Sequence, residues 1–132
     1  MAPRRAILSM YDKPLWASID AKHMELQQCD SCAQFRYPPA PSCPNCLSLD
    51  YKWKKVSGRG KILSWVVFHK EYLDDYKPPY NVVAVQLDEG PIIISNLSGP
   101  EPSGTWIGKP VEIVYESGVD GETLPRVRLT KE

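Results

Sequence analysis

The four cysteines of this sequence lie in two C-x-x-C pairs, Cys29-Asp30-Ser31-Cys32 and Cys43-Pro44-Asn45-Cys46, separated by residues 33–42. Two-residue spacing lets each pair aim both thiolates at one point. Two such corners joined by a short strand and return make a closed tetrahedral S4 site suited to Zn2+. Four thiolates leave no open position, so such a metal fixes the fold and does no Lewis-acid chemistry. The cysteines have three rival uses. Two disulfides would need an oxidising compartment, yet Met1-Ala-Pro-Arg-Arg leads into no long apolar core, so no secretory signal is expected and the default compartment is the cytoplasm. A thioredoxin-like redox pair would need a βαβ setting, which the pattern lacks. An iron-sulfur centre stays open as the rival metal site. The residue after a knuckle's second cysteine commonly takes up positive φ; here it is Ala33 instead of glycine, which predicts local strain.

Sixteen basic and sixteen acidic residues cancel, so the chain as a whole has no electrostatic bias toward nucleic acid or anionic membranes. Thirteen prolines and eight glycines in 132 residues favour a β-rich fold with frequent turns over a helical bundle. No apolar run approaches the roughly 20 residues needed to cross a bilayer as a helix.

In chain order, residues 1–11 read as a lead-in. A helix is expected from Asp12 or Lys13, with Pro14 at its first position, where a missing N–H costs nothing. Leu15, Trp16, Ile19, Lys22/His23 and Leu26 follow at helical spacing and give one apolar stripe. That stripe packs either on the chain's own ribbon or barrel, or on another protein. Residues 25–28 and 35–37 predict the two strands around the first knuckle, and 51–56 a third. Pro38-Pro39-Ala40-Pro41 reads as a rigid spacer, and Ser57-Gly58-Arg59-Gly60 as a hinge. Five strands are then expected, at 61–69, 80–87, 91–97, 111–115 and 126–129. Asp88-Glu89-Gly90 makes a tight hairpin, and a turn falls around 118–121. Five short strands separated by glycine and proline suggest an OB-type barrel, with an SH3-like barrel as competitor. The expected organisation is lead-in and helix over 1–25, zinc ribbon over 26–57 and OB-fold domain over 58–132, mainly β throughout.

The inventory of reactive groups is thin. A zinc site would consume every thiol. His23 and His69 are lone histidines, and Asp74-Asp75 and Asp88-Glu89 read as solvated turn carboxylates. No phosphate-cradling glycine motif and no nucleophile elbow is present. The densest basic stretch is Lys52, Lys54, Lys55, Arg59 and Lys61, where the ribbon meets the barrel. Nucleic-acid binding is the rival reading for a ribbon joined to a barrel, but zero net charge and acidic barrel turns argue against it. A protein-interaction adaptor is a further alternative.

In order, Pro14-Leu15-Trp16, Cys29-x-x-Cys32, Tyr37-Pro38-Pro39, Cys43-Pro44-Asn45-Cys46, Trp53, Ser57-Gly58-Arg59-Gly60, Leu87-Asp88-Glu89-Gly90, Ile107-Gly108-Lys109-Pro110-Val111 and Leu124-Pro125 resemble the DUF35 family of zinc-ribbon OB-fold proteins. Ala33 and Ala40 depart from its pattern, which has glycine and often arginine there. The resemblance implies a rubredoxin-like ribbon and a non-catalytic accessory subunit of a thiolase-like acyl-CoA enzyme of thiolase, condensing or retro-aldol type. On that reading the ribbon and helix dock on a thiolase-fold catalytic subunit in a hetero-oligomer, through Leu15, Trp16 and Ile19. The barrel faces the CoA thioester, with Lys55, Arg59 and Lys61 reaching its phosphates. Tyr72, Tyr76 and Tyr80 would line an acyl path.

Overall fold

The structure is a computed structural model that describes residues 8–72, 74, 76–118 and 121–130. One helix precedes two antiparallel sheets. Helix α1 spans Asp12–Asp20. Strands β1 (Glu25–Cys29), β2 (Phe35–Arg36) and β3 (Tyr51–Lys55) form a three-stranded sheet in the order β2-β1-β3. Strands β4 (Arg59–Phe68), β5 (Tyr80–Leu87), β6 (Ile92–Ser95), β7 (Pro110–Ser117) and β8 (Thr123–Leu129) form a curled sheet in the order β6-β5-β4-β7-β8. A parallel bridge, Leu97 to Val127, brings the two ends of that sheet together, and Ser98 N–H donates to the Val127 carbonyl at 2.7 Å. The result is the half-barrel of an OB-fold, as expected. Part of the expected turn at 118–121 lies outside the described residues, as do the first seven residues of the lead-in.

Helix α1 begins a residue or two earlier than its proline suggested. The Ser9 hydroxyl accepts the Asp12 N–H at 3.2 Å while donating to Asp12 Oδ2 at 2.9 Å, which satisfies the helix start. Pro14 thus sits in the first turn, where amide donors have no intrahelical partner in any case. The stripe expected to run on through Lys22 and His23 to Leu26 stops instead. Lys22 takes φ 64°, His23 N–H donates to Ser18 O and Lys22 N–H to Ile19 O, a C-terminal lock that ends the helix before β1.

Leu15 and Ile19 are 4% and 1% exposed. They join Met24, Leu26 and Val56 and the barrel residues Ile62, Val83, Val85, Val111 and Val127 in one apolar cluster. This corrects the expectation that both residues face a partner. The helix lies against β1 and β8, and the apolar area at its i and i+4 positions is spent on that contact. Met24 N–H donates to Tyr115 Oη at 2.7 Å, fastening the chain between helix and ribbon to β7.

The joint between ribbon and barrel is also firmer than a hinge. Gly58 supplies its left-handed turn, at φ 80°. Gly60 lies within β4, opposite Leu87, and a Cβ there would collide with the Gln86 carbonyl. Ser57 N–H donates to Glu89 Oε2 at 2.7 Å, so this hairpin carboxylate ties the β5–β6 turn to the joint and is not merely solvated. A register shift at Ile62/Ser64 bulges β4 and bends it around the core. No helix among the described residues is long and apolar enough to cross a membrane.

Candidate metal centre and the surfaces around it

The two knuckles are built alike. In the first, Ala33 N–H donates to Cys29 O at 2.9 Å and Cys29 N–H to Gln34 O at 3.0 Å. In the second, Leu47 N–H donates to Cys43 O at 2.9 Å and Cys43 N–H to Ser48 O at 2.9 Å. Each turn closes on a residue of positive φ, Ala33 at 66° and Leu47 at 65°. The strain expected at Ala33 is therefore duplicated at Leu47, which the sequence pattern did not flag. A non-glycine residue in this region costs about 1–2 kcal/mol.

All four Sγ atoms lie within 4.8 Å of one another. Cys29 and Cys46 are 3.5 Å apart, and Cys32 and Cys43 are 3.6 Å apart. Zinc-sulfur bonds of about 2.3 Å in a tetrahedron set sulfur-sulfur edges near 3.8 Å, so the donor set fits a tetrathiolate zinc ion. Cys29 and Cys43 are buried, Cys32 is half-buried and Cys46 is exposed. The local fields differ. The Cys32 backbone amide, outweighing burial, draws the Cys29 thiol down to about 6. The Cys46 backbone amide likewise lowers Cys43. At Cys46 the Ser48 amide acts in the same sense, but thiolates crowding from Cys29, Cys32 and Cys43, together with burial, push it up to about 12. Four sulfurs at this distance hold four negative charges only with a cation among them.

The remaining residues singled out from the sequence separate into two surfaces. Arg59 and Lys61 stand on one face of β4, either side of buried Gly60. They line a cleft of about 630 Å³ with Asp88, Glu112, Arg128 and Thr130. Arg128 is a third cation here, which the sequence reading did not include. Its guanidinium engages Glu112 Oε1 at 2.6 Å. Lys55 is exposed on β3, opposite Glu25, and does not line the cleft. The structure therefore brings together two of the three cations expected to act jointly.

Trp16, half-buried, lines a second groove of about 400 Å³ with Tyr37, Tyr76, Tyr80, Ile94 and Pro125. Arg126 bounds it and donates to Tyr76 Oη at 3.2 Å. Tyr72 does not line this groove; it is exposed and packs edge-on against Phe68. The outer face of β4, β5 and β6 is apolar next to it. Val66 is 52% exposed and Ile94 64%, on the side of the sheet that carries Val82 and Ala84.

A four-cysteine ribbon followed by an OB half-barrel is the architecture of a zinc-ribbon OB-fold protein. Residues 23–51 match the ChsH2 rubredoxin-like zinc ribbon domain and residues 53–116 the ChsH2 C-terminal OB-fold domain. A DUF35 domain-containing scaffold protein of Methanothermobacter thermautotrophicus is 33% identical over 101 residues, covering 71% of this chain and 75% of that protein. The chain belongs to the DUF35 family. A probable enoyl-CoA hydratase alpha subunit of Thermomonospora curvata is 33% identical over 129 residues, 97% of this chain. The chain spans only 40% of that relative's length. Among solved structures, a chain of the Ltp2-ChsH2(DUF35) aldolase superposes with a TM-score of 0.84 at 29% identity, covering 97% of this chain and 98% of its own.

Proposed function

We propose that this protein is a non-catalytic accessory subunit of a thiolase-like acyl-CoA enzyme, docking on the catalytic subunit and helping to position the CoA thioester. The observation that carries the reading is the convergence of all four thiols into one closed S4 set. A thiolase-type reaction needs a free nucleophilic cysteine with a base beside it, and with zinc bound this chain has none to offer. The full-length likeness to a chain of an aldolase complex supports it, as does the naming of relatives as scaffold proteins and as subunits of a CoA-thioester hydratase. Docking falls to Trp16 and the aromatic groove beside it, since Leu15 and Ile19 are spent on the core. The cleft holding Arg59, Lys61 and Arg128 offers fork-shaped and point-charge donors to phosphate oxygens; Lys55, on the ribbon, is a more distant auxiliary. Co-expression with a thiolase-fold catalytic protein tests this. A complex of defined mass in light scattering is expected, together with a raised KM for acyl-CoA in the Arg59→Ala/Lys61→Ala double variant. Two proteins that elute separately, or an unchanged KM in an intact complex, would remove the proposal.

A further inference from the structure

The ribbon holds a positive charge that none of its own side chains neutralises. Arg36 on β2 is 4% exposed, and its Nε, Nη1 and Nη2 atoms have no hydrogen-bond partner. Its guanidinium carbon stands 4.9 Å from the centre of the Tyr51 ring. A guanidinium keeps its proton in essentially any protein environment, and burying one without a counter-charge is costly.

Strand register locates it. Arg36 pairs with Gln27 on β1, and Tyr51 on β3 pairs with Cys29 two residues along. Because β1 lies between β2 and β3, the Arg36 and Tyr51 side chains meet above β1. They do so on the face that carries Gln27 and Cys29, since directly paired residues share a face. Arg36 thus shares a face of the ribbon with Cys29, and it lines a cleft with Pro44 of the second knuckle. Gln27 Nε2 is a second buried donor on that face without a partner, while its Oε1 accepts the Ala40 N–H at 2.8 Å. That bond holds the proline segment against the same face. Neither donor hydrogen-bonds a sulfur.

A divalent zinc held by four thiolates carries a net charge of −2, opposite in sign to Arg36, while Glu89, the carboxylate that lines a cleft with Arg36, accepts no hydrogen bond from it. We infer that Arg36 is a positioning residue for the metal centre. Its buried cation stabilises the tetrathiolate through space across the low-dielectric ribbon, and the loaded centre in turn offsets the cost of burying the guanidinium. The inference is independent of what the ribbon docks on.

Zinc competition against a colorimetric chelator tests it, using the full chain with Arg36→Met, Arg36→Gln and Arg36→Lys, alongside Co2+ spectra of the thiolate charge-transfer bands. The neutral variants should lose roughly 10- to 100-fold in zinc affinity, the range typical of outer-shell partners of a metal. Lysine, keeping the charge, should restore most of it. The charge-transfer bands should shift in the neutral variants and return in Arg36→Lys. Metal-free Arg36→Met should melt no lower than the parent, because the charge acts only on the loaded centre. That combination separates charge compensation from simple packing. Zinc bound as tightly by both neutral variants as by the parent, or an Arg36→Lys variant as weak as they are, would overturn the inference. Should Arg36→Met not fold, Arg36→Gln decides by the same affinity. A parent chain that takes up no zinc would overturn it together with the metal assignment.

Discussion

The ribbon and the barrel are stabilised by different physics, although one apolar cluster runs between them. The barrel buries Ile62, Val83, Val85, Ile93, Val111 and Val127 at alternate strand positions, each contributing about 1.5–3 kcal/mol by leaving water. Beyond Leu26 and Val56, which join the shared cluster, the ribbon buries Cys29, Cys43, Gln27 and Arg36. Of these four, Gln27 and Arg36 have unmet donors, and the two thiols repel one another once ionised. Its strands are also short, β2 spanning only Phe35–Arg36. A unit of this kind cannot offset its chain entropy by apolar burial. The metal supplies what the core does not. A small protein thus contains one part whose stability follows zinc and another whose stability follows packing.

Metal removal should separate the two regions most sharply. Zinc binding contributes about 10–16 kcal/mol in isolated zinc-finger peptides. A chelator should therefore abolish hydrogen-exchange protection in β1–β3 while β4, β5, β7 and β8 keep theirs. Uniform loss in both sheets would show that the two regions are one cooperative unit. Gly60→Ala attacks the barrel side instead. Its Cβ meets backbone at Gln86, so destabilisation of about 1–3 kcal/mol is expected in denaturant melts, with zinc affinity unchanged. Ala33→Gly and Leu47→Gly relieve the strained knuckles. Each should stabilise the loaded ribbon by about 1 kcal/mol, the left-handed penalty less glycine's extra chain entropy.

The smallest effect concerns protons. At pH 7.5 Cys29, held near 6, is already ionised, whereas Cys46, near 12, must give up its proton to the metal. Zinc affinity should therefore fall as pH is lowered. The decline should steepen below about pH 6, where Cys29 also becomes protonated before binding. Chelator competition across pH 5–8 reads this slope, and a flat profile would contradict the assigned order of ionisation.

Much of this division was legible in the residues themselves. Cysteine spacing announced the metal site, and the strands expected at 51–56 and 80–87 fall within a residue of the bounds of β3 and β5. What escaped depends on distant chain segments. Arg36, in the triplet Phe35-Arg36-Tyr37, reads as an exposed strand residue. Its burial depends on strands that the sequence does not show to be neighbours, since it meets Tyr51 from β3 across β1. Leu47 carries no sign of positive φ, because only the closing of the second knuckle imposes it. Gly60 looked like a hinge because glycine pairs usually mark one. In the fold its missing side chain makes room for the neighbouring strand's backbone. Leu15 and Ile19 posed a problem that periodicity cannot solve, since a helix stripe looks the same whether its cover is internal or foreign. Arg128 entered the basic cleft through the pairing of β7 with β8, a relation between residues sixteen positions apart.

On the function proposed above, reactive chemistry belongs to another polypeptide. The direct test is an acyl-CoA turnover assay on the purified zinc-loaded chain, alone and then with a thiolase-fold catalytic protein. No product above the uncatalysed background is expected from the chain alone, and product should appear when the catalytic protein is added. Sustained turnover by the isolated chain would contradict the proposed accessory role.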